Sequence, residues 1–496
     1  MRLSDLVNAS GASIADASGD AEVLRPIADS RLVRPGDLFF CMPSARTDTH
    51  ALIESAAAAG ATAAVLNSRA GVDHALIPYI LPAGGELGFR EAIWRLAHTL
   101  LDHPSRKLKV LGVTGTNGKT TTAWILRDLL SACGTPAAYL GTLGYKDEAG
   151  DVAVGNTTPF AVELVNIIAD ANARGAKALA MEVSSHALAE RRADGTEFDA
   201  AVFTNLTQDH LDFHGTMEQY ADAKWRLFSD LPAQSEKAFT AAINIDDPIG
   251  AEWAARSSRP VIRYSLESSN RAFLTAEPVK VGLEEIEVRF NWRGEQTGVA
   301  TVQLGGGYNV SNTLSAVAGM LALGYSMESV VAALPKVRPV PGRFEPVPNG
   351  LGIGIIVDYA HTPDALIKLL DAVRALQPKR VITVFGCGGD RDGTKRPIMA
   401  KAASERSDLT VVTSDNPRTE DPAAILSEVQ AGVVPGAESV SILDRVEAVA
   451  YAVRHAQPGD AVVIAGKGHE DYQIIGHTKH PMDDRELARR AIEACA

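Results

Sequence analysis

The chain's 496 residues are too many for one compact core and imply roughly three domains at about 150 residues each. With 46% hydrophobic and 22% charged residues, it falls among ordinary globular proteins rather than disordered or fibrous ones. A formal charge of −13 argues against a general binder of nucleic-acid backbones, so anionic ligands would need local basic pockets.

The first residues, MRLSDLVNASGAS, lack a charged segment followed by an apolar one, and no apolar stretch is long enough to span a bilayer. A cytoplasmic chain with no membrane partner is expected. Cys41, Cys133, Cys387 and Cys495 show no CxxC spacing, which points to reduced thiols rather than zinc or disulfides.

From Gly36 to about Pro104 the pattern is a strand from Asp37, a helix near Leu52 to Ala59, a strand from Thr62 and a helix from Arg90 to Leu101. This predicts a small α/β domain over residues 1–103, ended by the Pro-containing, charged segment after Asp102. The apolar run from Leu108 to Val113, a Gly-rich turn and a helix from Lys119 to Ala132 then open a central domain over 104–343. Further strands from Ala178 and Ala200 predict an open, mainly parallel sheet, and the alternation from Ile286 to Trp292 predicts an antiparallel patch. The Pro-rich stretch Leu334 to Arg343 reads as a linker and hinge. Strands at Ile353 to Val357, Arg380 to Phe385, Leu409 to Val412 and Ala461 to Ala465 predict a Rossmann-like domain over 344–496.

The segment Val113 to Thr121 carries the most chemistry, because it follows a strand and opens a helix. Backbone N–H groups of Gly115, Thr116, Asn117, Gly118 and Thr121 are placed to cradle phosphate oxygens. Lys119 would neutralise β/γ-phosphate charge and the Thr120 hydroxyl would reach Mg²⁺. The generic spacing wants Gly where Val113 stands, so that pattern is missed by one position. Glu182 ends the strand from Ala178, His210 lies in the loop after Ala200 to Asn205, and with Thr120 they read as ligands for a divalent ion. His210 and His214 are four apart, but no HExxH frame surrounds them and zinc is not expected.

These residues, with others along the chain, resemble the Mur ligase family. The resemblance rests on TGTNGKT at 114–120, EVSSH at 182–186, TNLTQDHLDFHGT at 204–216, Lys224 in AKWRLF and GGYNVSN at 306–312. It continues through PGRFE at 341–345, DYAHTPD at 358–364, GGDRDGTKRP at 388–397, DNPR at 415–418 and AGKGHED at 465–471. It implies three domains that bind in turn a uridine nucleotide, ATP and an amino acid. The implied activity is ATP-dependent addition of meso-diaminopimelate to the D-glutamate γ-carboxylate of UDP-N-acetylmuramoyl-L-alanyl-D-glutamate, through an acyl phosphate, in peptidoglycan synthesis. It also implies a CO₂-derived carbamate on Lys224, which would serve with Lys119 and His210 in catalysis and with Thr120, Glu182 and His210 at the metal. An ammonium beside Mg²⁺ would be repelled, whereas a carbamate attracts it.

Asn309, Arg343 and Asp358 are implied as further ATP contacts, with Arg343 reaching phosphates when domains close. For the uridine substrate the resemblance points to Ser30, Ala45, Arg46, Thr47, Asn156, Thr157, Thr158, Ser184, Glu190 and Arg192; Glu190 departs from the Gln common in similar proteins. For the amino acid it points to Arg391, Asp415, Asn416, Pro417, Arg418, Gly466 and Glu470. Arg418 can grip a distal carboxylate that diaminopimelate has and lysine lacks. A monomer is expected. The rivals are a folylpolyglutamate-synthetase-like ligase, which DNPR argues against, and a P-loop ATPase or switch, which leaves Lys224 and the SSH segment unexplained.

Overall fold

A computed structural model describes residues 1–43, 48–267 and 272–495. The chain is mixed α/β with mainly parallel sheets. It divides into two compact units. One comprises Met1–Thr275, Trp292–Gly294 and Leu314–Val330; the other comprises Ala276–Asn291, Glu295–Thr313 and Val331–Ala496.

The first unit holds two sheet-centred cores. The smaller sheet runs Ile14–Ser18, Tyr79–Pro82, Ala63–Val65, Asp37–Phe40 and Arg25–Ile27, with only the first strand antiparallel to its neighbour. Asp37–Phe40 is buried throughout, as a strand covered on both faces requires. Helix Gly85–Leu100 packs Phe89, Ile93 and Leu96 into the same core.

Six central strands of the larger, eleven-stranded sheet run in the order Val261–Ser265, Thr240–Asn244, Ala200–Phe203, Lys109–Thr114, Ala178–Glu182 and Ala137–Gly141, and these six are parallel. Lys109–Thr114 therefore lies between the strands that end at Glu182 and Phe203. Parallel strands share a carboxyl end, so the loops after Thr114, Glu182 and Phe203 open on one edge. The order of strands, not their sequence separation, brings these loops together.

The second unit is built on a six-stranded sheet in the order Glu345–Pro346, Gly354–Asp358, Ala461–Ala465, Val381–Cys387, Leu409–Ser414 and Ser439–Ser441, parallel apart from the first strand. Its helices supply Leu366, Leu369, Leu370 and Met399 to one core and Ala448, Val449, Leu487 and Ala488 to another. A separate hairpin pairs Tyr472–Ile475 with Thr478–Pro481. The alternating stretch Ile286–Trp292 is a strand, with Ile286, Val288 and Phe290 buried.

The stretch expected to act as a hinge is knit into this unit from Val331 onward. A Cβ on Gly342 would strike Gly468 and His469, and Gly342 O accepts from Tyr359 N at 2.9 Å. Only a residue without a side chain fits that close approach.

Arg445 and Asp484 form a fully buried ion pair in the second unit, with two bonds of 2.7 Å. The guanidinium also donates to Ser414 O at 3.2 Å and Ala465 O at 3.1 Å, the last residues of two parallel strands. Removing one partner leaves a buried charge without its counterion. Asp484→Asn is therefore expected to lose about 3–5 kcal/mol of stability in urea unfolding of the second unit's transition.

Candidate functional site

The loop after Lys109–Thr114 turns through Gly115 and Gly118, both at positive φ, before helix Lys119–Ala132 begins. A Cβ at Gly115 would run into Thr204 Oγ1, so glycine is required there. The loop is tied to the neighbouring strand's exit: Thr116 N donates to Asn205 O at 2.8 Å, Asn117 N to Asn205 Oδ1 at 3.0 Å, and Thr204 Oγ1 to Asn117 O at 2.7 Å. Helix-start N–H groups at 118–121 thus sit on a prearranged loop, which is the arrangement that receives phosphate. Thr120 and Thr121 are buried in the first turn.

Two lysines converge on this loop. Lys119 Nζ donates to Gly115 O at 3.0 Å and Thr116 O at 2.9 Å. Lys224 Nζ donates to Gly115 O at 2.9 Å and lies 4.5 Å from the Tyr220 ring centroid, with Lys224 only 1% exposed. Burial, reinforced by the Lys119 charge, pushes the Lys224 amine well below its ordinary pKa. Tyr220 was not among the sequence candidates, although it precedes Lys224 by one helical turn on helix Met217–Trp225 and so shares its face. Its hydroxyl lies 3.2 Å from Thr116 Oγ1.

Glu182 is 1% exposed. Its Oε1 accepts from the Tyr139 hydroxyl at 2.6 Å and Thr142 N at 2.8 Å, and Oε2 accepts from Thr142 Oγ1 at 3.3 Å. A Cβ on Gly141 would collide with that carboxylate, so this glycine leaves it room. His210 caps the short helix Leu211–His214 at φ 52 and packs against His186 at 4.7 Å between ring centroids and Tyr220 at 6.2 Å. His214 Nε2 lies 2.9 Å from Ser185 Oγ, and burial, with His186 next, pushes its imidazole down to about 4. Lys119, Lys224, Gly115 and Thr116 are therefore brought into direct contact, and His210 joins them through Tyr220. Glu182 keeps to its own cluster with Tyr139 and Thr142. Among the described residues no group of three or more His, Cys, Asp or Glu side chains is arranged to hold a metal by itself.

Next to Glu182 lies a polar cluster drawn from three loops. Thr158 Oγ1 donates to Glu182 O at 2.9 Å and accepts from Ser184 N at 3.1 Å, while Thr157 Oγ1 lies 3.1 Å from Thr142 Oγ1. Ser184 caps helix Ser185–Ala189 by accepting from Ala187 N. Arg192 donates to Thr158 O at 3.1 Å and to Glu190 Oε2 at 2.6 Å, with its guanidinium over the Phe160 ring. The departure at Glu190 has a structural role: its carboxylate neutralises Arg192. Burial raises the Glu163 carboxyl above its ordinary pKa, and this group feels both Arg192 and Asp29, which precedes the Ser30 turn. Asn156 is exposed. Ala45, Arg46 and Thr47 lie outside the described residues.

In the second unit, Arg343 lies over the Tyr359 ring at 4.5 Å. Asp358 accepts from Phe344 N at 2.7 Å and Ala360 N at 2.8 Å, and burial raises its pKa against the lowering effect of Arg343. Asn309 donates to Gly305 O at 2.7 Å and accepts from Asn312 at 2.8 Å, while its neighbour Tyr308 packs against Phe344.

The turn Asp415 to Arg418 follows strand Leu409–Ser414. Arg418, at φ 51, donates from Nη1 to Gly389 O at 2.7 Å, and its backbone pairs with the hairpin through Ile474 O and Gly476 N. Gly388 lies within reach of both Arg418 and Arg391, and a Cβ on Gly466 would come 2.9 Å from Asp415 Oδ2. Asn416 Nδ2 donates to Glu470 Oε2 at 2.9 Å. The ends of three parallel strands thus assemble Arg391, Asp415, Asn416, Pro417, Arg418, Gly466 and Glu470 at one edge. Lys467, which was not a sequence candidate, sits among them.

Residues 113–320 match the Mur ligase middle domain and residues 342–468 the Mur ligase glutamate ligase domain. A protein from Gloeobacter violaceus (strain ATCC 29082 / PCC 7421), named UDP-N-acetylmuramoyl-L-alanyl-D-glutamate--2,6-diaminopimelate ligase, is 44% identical over 99% of this chain and 98% of its own. A protein of the same name from Geobacillus kaustophilus (strain HTA426) is 42% identical over 96% of each chain. A solved structure titled with that same name superposes with a TM-score of 0.68 at 33% identity, covering 95% of both chains. With relatives this similar along almost its whole length, the chain belongs to the Mur ligase family.

Proposed function

We infer that this chain is an ATP-dependent ligase that joins meso-diaminopimelate to the D-glutamate γ-carboxylate of UDP-N-acetylmuramoyl-L-alanyl-D-glutamate in peptidoglycan synthesis. The observation that carries the reading is Arg418, held on Gly389 beside Arg391 at the end of a parallel strand, in a chain whose near-full-length relatives bear that enzyme's name. A planar guanidinium there suits a distal carboxylate, which selects diaminopimelate over lysine.

Residues 1–103 and the Thr157, Thr158, Ser184, Glu190 and Arg192 cluster are assigned to the uridine substrate, residues 104–343 to ATP, and residues 344–496 to the amino acid. A carboxylate is a poor electrophile, so the γ-phosphate of ATP passes to the glutamyl γ-carboxylate, giving an acyl phosphate and ADP. The amine then attacks the carbonyl carbon, and the tetrahedral intermediate expels inorganic phosphate as the amide forms and the amine loses its proton. Lys119 exchanges its loop carbonyls for phosphate oxygens and offsets the charge at the phosphoryl group. Asn309, Arg343 and Asp358 are assigned to ATP as well.

Lys224 is suited to carbamylation because its depressed pKa favours the neutral amine that reacts with CO₂. The residues that would hold Mg²⁺ are Thr120, Glu182, His210 and a carbamate on Lys224, donor types that suit this ion. When bound, Mg²⁺ would supply charge neutralisation at the β- and γ-phosphates.

The test is product formation with each substrate omitted in turn. The ligase reading expects phosphate release only when the nucleotide dipeptide and diaminopimelate are both present. Comparable ATP turnover with neither would return the chain to the ATPase class.

A further inference from the structure

Lys467 is fully buried. It follows strand Ala461–Ala465 and lies between Gly466 and Gly468, both at positive φ. Its Nζ donates to Asn416 Oδ1 at 3.2 Å and Glu470 Oε2 at 3.1 Å, reaching the turn after Leu409–Ser414. Asn416 Oδ1 also accepts from Ile474 N at 2.9 Å, so its Nδ2 is directed to Glu470 Oε2. Both bonds that Glu470 accepts from side chains fall on Oε2. Arg445 holds the same two strand ends through Ser414 O and Ala465 O. Burying an ammonium is costly, and here its hydrogen bonds orient two groups rather than a single counterion.

We propose that Lys467 is a positioning residue for the incoming amino acid: it locks the Asn416 amide and Glu470 Oε2, leaving Glu470 Oε1 to receive a substrate ammonium beside Arg418. This rests on the ligase reading of the same turn. Methionine at 467 keeps most of the side-chain length but loses both hydrogen bonds and the charge.

The experiment measures steady-state constants for each substrate in the full chain. For Lys467→Met, the KM for diaminopimelate is expected to rise roughly tenfold or more, the worth of a hydrogen bond to a charged group, while kcat and the other two KM values change by less than about threefold. A double-mutant cycle gives a second reading. Because Lys467 acts through Glu470, Lys467→Met/Glu470→Gln is expected to match Glu470→Gln alone in that KM. A uniform rise in all three KM values, an unchanged diaminopimelate KM, or multiplying effects in the double variant overturns the proposal. If Lys467→Met does not fold, the double variant, which loses both charges, carries the comparison with Glu470→Gln by itself. A wild-type chain that joins no diaminopimelate overturns the ligase reading instead.

Discussion

Lys119→Ala is expected to reduce kcat for diaminopimelate-dependent ADP release by about 10²–10³-fold, the scale of removing one preorganised donor from a developing charge. The ammonium is already within 3.0 Å of two loop carbonyls, so phosphate oxygens arriving at the helix start need only a local exchange of partners. The variant should fold, because the loop keeps its bonds to Thr204 and Asn205. The measurement is single-turnover formation of ADP alongside the circular dichroism of the variant. A loss confined to KM for ATP, with kcat intact, would mean that Lys119 contributes only ground-state binding.

The second large effect concerns choice of amino acid. Arg418→Ala is expected to lower kcat/KM for diaminopimelate by on the order of 10²-fold, since truncating one partner of a charged pair costs about 2–5 kcal/mol. Use of lysine, which offers no distal carboxylate, should change little, so the ratio between the two substrates is the diagnostic quantity. Alanine and arginine tolerate the positive φ at 418 equally poorly, so backbone strain does not confound the comparison. Arg418→Lys should recover only part of the loss, because an ammonium cannot form the planar two-bond contact. An amino-acid panel assayed with all three proteins checks this; equal losses for both substrates would remove Arg418 from the selection of diaminopimelate.

Long apolar runs were legible as strands. Lys109–Thr114, Ala178–Glu182 and Ala461–Ala465 stand where the sequence reading put them, as does helix Lys119–Ala132, because burial on both faces writes itself into composition. Ala137–Gly141 is not legible as a strand, since five residues without a β-branched side chain carry little strand signal. The hairpin Tyr472–Ile475 with Thr478–Pro481 is illegible for a related reason: its second strand is exposed and polar. Its first strand and turn are anchored by backbone bonds of Ile474 and Gly476 to Arg418 and by the Asn416 side chain.

The sequence by itself determined the strand, glycine-rich loop and helix over residues 109–132, because strand, glycines, lysine and helix are contiguous and each is demanded locally. It also determined the three α/β cores and, through motifs along the chain, the family. Only the tertiary structure decided which side chains are buried and what they meet. Lys224, beside Trp225 on a helix, reads alone as a surface lysine, yet it lies under Gly115. Glu190 reads as an unwelcome carboxylate, yet it balances Arg192. Lys467 reaches Asn416 across an intervening strand. The physical reason is shared: strand order in a parallel sheet brings distant loops to one edge, and the burial that sets charge and pKa there is a property of that packing.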